Sequence, residues 1–287
     1  MLTKLSTEAI HRVVRMALDE DAPWGDLTSQ TLIPPSAQIN AQLVAREDGV
    51  LSGKDVFRAA MSLTDASITT NFHLHDGERF TKGSILADVT GPAQSVLQAE
   101  RVALNFMQRM CGIATLTATY VAEVAGTKTR IVDTRKTTPG LRLIERYAVR
   151  CGGGHNHRFS LSDAVMVKDN HLAIVAANKS IGVTDALHTL RASLPHTTHI
   201  EVEVDRLDQL DAVLAADVDT ILLDNFTTEQ LREGVQHIAG RALVEASGGI
   251  TLPRLREIAA TGVDIISVGA LTQNVRSLDL GLDIQTQ

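Results

Sequence analysis

From Arg135 to Lys168 the chain carries seven Lys/Arg residues, at positions 135, 136, 142, 146, 150, 158 and 168, against two acidic ones, Glu145 and Asp163. The local balance is +5 in a chain whose net charge is −7. A basic island in an acidic protein calls for a strongly anionic ligand. Arginine recognises carboxylate or phosphate through a planar fork, and lysine supplies a point charge. Arg142, Arg146 and Arg150 recur every four residues, so on a helix they share one face, which is expected to be solvated. Arg135, Lys136, Arg158 and Lys168 fall at the ends of apolar runs or in loops, where contact with a ligand is expected.

A second group is acidic. Glu201 and Glu203 are two apart in HIEVEV (199–204), so on a strand they point to one face. Burying a carboxylate is costly unless it is paired. The pair therefore reads as chemistry, or as one carboxylate in a site mouth with the other on a neighbouring lysine. TILLDN (220–225) ends with Asp224 and Asn225. Ser247, Gly248 and Gly249 end another apolar run, and Val268, Gly269 and Ala270 a third. Glycine turns let backbone N–H groups approach an anion, and a following helix N-terminus would add its dipole. The His155-x-His157 spacing suits a metal, but Arg158 beside it repels a cation, so no histidine-bound metal is expected. Neither a Walker A motif, nor G-x-G-x-x-G, nor H-E-x-x-H occurs.

These residues need a frame. Six short runs rich in Val and Ile (130–134, 163–168, 199–204, 220–225, 242–247 and 264–270) alternate with stretches that are apolar at i, i+3 and i+4. Strand alternating with helix predicts βαβ units and a parallel sheet, with its active site at the carboxyl ends of the strands. The polar and glycine residues above sit at those ends. Six strands are fewer than the eight of a full barrel, which leaves an incomplete α/β barrel or an open doubly wound sheet. Residues 1–110 read as an N-terminal α+β domain, with strands at 38–47 and 67–74 around a helix at 54–63. A helix follows at 92–124, with Gly112 as a candidate break. Residues 111–272 form the barrel domain, and the tail 273–287 is expected to pack back on the first domain.

Composition bounds the function. Hydrophobic residues make up 44 % of 287 and aromatics 3 %, so the core is aliphatic. The low aromatic content argues against a base-stacking surface, and the acidic balance against duplex binding, so no nucleic-acid partner is expected. No run of 18 apolar residues predicts a membrane span. Residues 1–21 read as an amphipathic helix and not a signal peptide. Cys111 and Cys151, with no C-x-x-C, read as reduced thiols of a cytoplasmic protein.

Several stretches carry a family resemblance: EDAPWGDLTS (20–29), ERVALNFMQRMCGIAT (100–115), DTRKTTPGLR (133–142), YAVRCGGGHNHRFSLSDAVMVKDNH (147–171), EVEV (201–204), LLDN (222–225), EASGGI (245–250) and GVDIISVGALT (262–272). Together they resemble the quinolinate phosphoribosyltransferases, in the right order over nearly the whole chain. Ser160, where glycine is expected, and Ala246, where serine is common, depart from the pattern. Both affect local loop geometry only.

The resemblance implies that quinolinate and phosphoribosyl pyrophosphate give nicotinate mononucleotide, pyrophosphate and CO2, with Mg²⁺ as cofactor, in de novo NAD synthesis. It implies that the fold is the incomplete parallel α/β barrel, of six or seven strands, and that Arg101, Thr134, Arg135, His157, Arg158 and Lys168 bind quinolinate. It assigns Lys136, Glu203 and Asp224 as catalytic and as contacts of the phosphoribosyl donor, together with Ser247, Gly248, Gly249, Val268, Gly269 and Ala270. Mg²⁺ would be held mainly through substrate, with Glu203 and Asp224 as candidate ligands. A homodimer is implied, in which Arg101 reaches the partner's site. A sister transferase for a monocarboxylate would need fewer basic residues. A non-enzymatic sensor would not place carboxylates beside a phosphate site.

Overall fold

The computed structural model describes residues 4–177 and 182–285. Along the chain the elements are α1 (Thr7–Asp21), α2 (Leu27–Leu32), β1 (Gln38–Ala45), β2 (Gly49–Val50), α3 (Lys54–Thr64), β3 (Thr69–Phe72), β4 (Arg79–Phe80), β5 (Ile85–Pro92) and α4 (Ala93–Glu123). Then follow β6 (Arg130–Val132), α5 (Arg142–Cys151), β7 (Val165–Val167), α6 (Asp169–Ala177), α7 (Val183–Ala192), β8 (Ile200–Val204), α8 (Leu210–Leu214) and β9 (Thr220–Asp224). The last are α9 (Thr228–Ile238), β10 (Leu243–Ser247), α10 (Leu255–Ala259), β11 (Ile265–Ser267), α11 (Ala270–Gln273) and β12 (Leu280–Ile284). They fall into two compact units. One holds the chain up to Thr119, Lys136–Gly154 and the chain from Ala270 onward. The other holds Tyr120–Arg135 and His155–Gly269.

The first unit is built on an antiparallel sheet in the order β12-β1-β5-β3. Strand β1 alternates as its sequence predicts, burying Ala41, Leu43 and Ala45. Helix α3 buries Val56, Phe57, Ala60 and Met61, and Phe57 meets Phe72 edge-on at 5.7 Å. The tail returns as β12, paired with β1 from Ala41↔Ile284 to Ala45↔Leu280. Contrary to expectation, Gly112 does not break α4, which runs through it. The glycine serves close approach instead: a Cβ there would lie 2.2 Å from the Arg276 carbonyl oxygen.

The second unit is a parallel sheet in the order β6-β11-β10-β9-β8-β7. The strands follow one another in chain order, and the first joins the last. That is the order of a barrel; a doubly wound sheet reverses its order part-way. Strands β6 and β7 are not neighbours, so the barrel is open there. A single parallel bridge, Val132 to His155, adds a short seventh segment beside β6. Val202, Val204, Ile221 and Leu223 are all buried, as expected of parallel strands covered on both faces. Helix α9 starts with a capping box, in which Thr227 Oγ1 accepts from Gln230 N and Gln230 Oε1 from Thr227 N.

Candidate active site

In the barrel unit the site is built from the carboxyl end of each strand. Strand β6 runs into Asp133, which is fully buried. Its carboxylate accepts from the backbone N–H of His157 at 2.8 Å and from Asn156 Nδ2 at 2.6 Å. This clamp fixes the backbone of the 155–158 segment against the end of β6. Sequence reasoning gave Asp133 no role. Its position between an apolar run and Thr134-Arg135 was the available signal.

Thr134 and Arg135 follow, both half-buried. Arg158 donates from Nη1 to the Ala164 carbonyl at 2.9 Å. Its pKa is lowered, first by burial and then by the positive charge of Arg135, against the pull of Glu201 and Asp163. Two guanidinium groups close enough to repel are stabilised by an anion placed between them. Lys168, directly after β7, forms an ion pair with Glu203 of β8.

Glu201, one pleat deeper on β8, is buried. Its Oε2 lies 3.0 Å from His157 Nε2, and Glu245 Oε1 of β10 lies 3.5 Å from the same nitrogen. The two inward carboxylates of β8 thus divide their roles, one meeting His157 and the other Lys168. Glu245 was missed in the sequence, although a carboxylate in mid-strand of LVEAS was visible. Burial, the largest effect, lowers the His157 pKa, but Glu201 and Glu245 outweigh it and raise it overall. The backbone N–H of Arg158 donates to Nδ1 at 2.7 Å. A backbone N–H can only donate, so in this arrangement Nδ1 holds a lone pair and the ring proton is on Nε2. Ligand atoms of His157, Glu201 and Glu245 lie within 4.8 Å of one another. An Nε2 that carries the proton offers a metal no lone pair, so this cluster is a hydrogen-bonded anchor for the ring.

On the next strands Asp224 and Ser247 stand side by side in register. Asp224 is half-buried and accepts from Asn225 Nδ2 at 2.7 Å. Asn225 is held at φ 59°, its N–H donating to the Ser247 carbonyl at 2.9 Å. Gly248 sits against it at φ +79°, where a Cβ would lie 2.2 Å from Asn225 Oδ1. Gly249 (φ +58°) and the segment Val268-Gly269 complete the glycine-bearing turns. The expected helix dipole behind them is weak. Helix α11 has only four residues, too few to sum a macrodipole, so any anion contact there rests on backbone N–H groups themselves.

The remaining expected residues belong to the first unit. Arg101 is exposed on α4, Lys136 is exposed in the 133–141 loop, and Ala270 opens α11. The three arginines of α5 do not form a solvated face. Arg146 is buried, Arg150 donates to the Gly154 carbonyl at 2.9 Å, and Arg142 donates to Thr137 Oγ1 at 3.1 Å. A period of four identified the shared face but not what packs on it.

Fold and site together define a class: an incomplete parallel α/β barrel whose strand ends carry basic groups, inward carboxylates and glycine turns. The particular family follows from comparison. Residues 26–111 match the quinolinate phosphoribosyl transferase N-terminal domain model, and residues 113–283 match the C-terminal domain model. The chain is 44 % identical to a nicotinate-nucleotide pyrophosphorylase [carboxylating] of Mycobacterium leprae, over 99 % of this chain and 100 % of that protein. It is 41 % identical to a probable enzyme of the same name in Bacillus subtilis, over 92 % and 90 %. It superposes on the nicotinate-nucleotide pyrophosphorylase structure from Francisella tularensis with a TM-score of 0.92, at 36 % identity and 99 % coverage of both chains. The chain belongs to the quinolinate phosphoribosyltransferase family.

Proposed function

We propose that this chain transfers the phosphoribosyl group of phosphoribosyl pyrophosphate to quinolinate and releases CO2, forming nicotinate mononucleotide for NAD synthesis. The observation that carries the reading is the pairing of Arg135 with Arg158, two mutually repelling guanidinium groups at the end of a barrel. A vicinal dicarboxylate is complementary in charge to both. Lys168 and Arg101 add positive charge for it, and Thr134 and His157 complete the quinolinate set.

In the reaction the C1′–O bond to pyrophosphate breaks as the pyridine nitrogen forms its bond to C1′. Positive charge develops at the ribose centre, where Glu203 and Asp224 stabilise it. Lys136 neutralises the departing pyrophosphate, and Ser247, Gly248, Gly249, Val268, Gly269 and Ala270 receive phosphate oxygens. The nitrogen is then cationic. The C–C bond to the 2-carboxylate breaks, CO2 leaves, and the electron pair stays on the ring carbon beside that nitrogen until a proton from water replaces it. Positioning suffices for this step, and no base is assigned to it.

Mg²⁺ fits the oxygen donors present. Asp224 is a partly exposed carboxylate at a strand end, and Mg²⁺ is commonly held by one or two carboxylates plus substrate oxygens. Asp224, with Glu203, would hold it, and when bound it supplies charge neutralisation for pyrophosphate. The reading includes a homodimer in which Arg101 serves the partner's site, and a cytoplasmic location, which the two free buried cysteines suit. The deciding assay measures CO2 release from quinolinate with phosphoribosyl pyrophosphate and Mg²⁺. Turnover of nicotinate without CO2 release from quinolinate would overturn the reading.

A further inference from the structure

We propose that Thr272, Arg109 and Glu145 are positioning residues for Lys136, forming a clamp that sets the phosphoribosyl-donor affinity. The inference rests on the donor role given to Lys136 above. Lys136 lies in the loop, residues 133–141, that joins β6 to α5 without helix or strand of its own. A long exposed lysine can neutralise a leaving group only if its backbone is held. Besides the Arg142–Thr137 bond, the loop is held at Lys136 and at Thr138. Thr272 Oγ1 donates to the Lys136 carbonyl at 2.7 Å. Glu145 Oε2 accepts from Thr138 N at 3.1 Å, and Arg109 Nη2 donates to Thr138 Oγ1 at 2.8 Å.

The holding groups are tied to one another. Arg109 Nε donates to Glu145 Oε1 at 2.8 Å, and Arg109 Nη2 donates to the Thr272 carbonyl at 3.1 Å. One guanidinium therefore joins α4, α5, α11 and the loop. Glu145 and Thr272 are fully buried. A buried ion pair is a poor device for stability, because apolar side chains of the same volume often do as well. What it specifies is geometry. Thr272 stands in α11, which begins with Ala270, a residue also assigned to the donor. The same cluster thus fixes both donor segments of this unit, Lys136 and the start of α11.

The test uses full-length Thr272→Val, Thr272→Ser and Arg109→Lys proteins, with Lys136→Ala as reference. Thr272→Val removes the hydroxyl at nearly constant volume, and Arg109→Lys keeps the charge but loses the fork. Both are expected to raise KM for phosphoribosyl pyrophosphate roughly tenfold, the scale of one lost hydrogen bond to a required group. Quinolinate affinity, from equilibrium binding, and Tm are expected to stay near the parental values. Thr272→Ser retains the hydroxyl and should retain the donor KM. If Thr272→Val proves insoluble, Arg109→Lys carries the test. A parental donor KM in Thr272→Val and Arg109→Lys, while Lys136→Ala loses it, overturns the clamp alone. Equal losses for both substrates, following Tm, overturn it as mere structural support. A parental donor KM in Lys136→Ala overturns the clamp together with the role of Lys136.

Discussion

His157 Nε2 and Glu201 Oε2 lie 3.0 Å apart inside the barrel, with Glu245 Oε1 3.5 Å from the same nitrogen. The ring is thus gripped at Nε2 by two strands and at Nδ1 by the Arg158 amide, which fixes its orientation. Glu201→Ala should free the ring and raise KM for quinolinate on the order of tenfold, about 1.4 kcal/mol. Glu201→Gln keeps an acceptor and should stay within a fewfold of the parent. Steady-state kinetics with varied quinolinate decide it, and a parental KM in Glu201→Ala would sink the idea.

Arg158 is expected to matter more. It sits beside Arg135, and burial and that neighbour both work against its charge. An anionic substrate relieves the repulsion. Truncating one partner of such a desolvated charge pair costs on the order of 2–5 kcal/mol, so Arg158→Ala should lose that much in kcat/KM for quinolinate. A wild-type value would refute its role.

The two glycines after β10 separate conformational strain from steric room. Both have positive φ, +79° at Gly248 and +58° at Gly249. A Cβ at Gly248 would also meet Asn225 at 2.2 Å (Oδ1) and 2.8 Å (backbone N), whereas at Gly249 the nearest atom is Arg254 Nη1 at 3.8 Å. Gly249→Ala therefore pays only the left-handed conformation, on the order of 1 kcal/mol. Gly248→Ala must also displace Asn225, next to Asp224. Isothermal titration with phosphoribosyl pyrophosphate should show a clearly larger loss for Gly248→Ala; equal losses would mean that the cradle against Asn225 is unimportant.

The frame was legible because parallel strands buried on both faces leave an unmistakable run of Val and Ile, and because each run ends in a polar or glycine residue. Barrel and doubly wound sheet could not be told apart, since that depends on which strands meet, and strand order is not a local property. The fate of the arginines on α5 was misread for a related reason. Arg146 has the spacing of a surface residue, yet the elements packed over α5 bury it. Glu245 and Asp133 were passed over because neither is basic and each looks like an ordinary strand residue. Only the approach of His157 to both reveals what they hold. Arg109 has no role in the sequence reading, since its position within the long helix α4 does not show which elements meet it.

A stability prediction concerns the returning tail. Arg276 donates to both carboxylate oxygens of Glu47, and Asp279 N donates to Oε1 at 2.7 Å. These bonds hold the Glu47 pKa below its ordinary value, Arg276 being the larger cause. A carboxylate with a depressed folded pKa contributes stability above its unfolded pKa and loses it as pH falls through the folded one. Glu47→Gln should therefore lower the urea midpoint at neutral pH, and the gap to the parent should close on acidification below the usual glutamate range. A gap that is constant with pH would show that the carboxylate charge is not what fastens the tail.

Sharing of the site between subunits has a quantitative signature. Arg101 is exposed on α4; in the proposed homodimer it serves the neighbouring chain's site, whereas Lys136 serves its own. In Arg101→Ala every site lacks the neighbour's arginine, and in Lys136→Ala every site lacks its own lysine, so each homodimer should be nearly inactive. In a heterodimer of the two, one site carries both lesions and the other carries neither. Random reassembly of equal amounts makes half the dimers mixed, so about a quarter of all sites are intact by the two-fold symmetry of such an assembly. Recovery of about a quarter of parental CO2 release after co-refolding is the expected result. A mixture as inactive as its components, shown by mass spectrometry to contain heterodimers, would place Arg101 and Lys136 in the same site of one chain or outside any site.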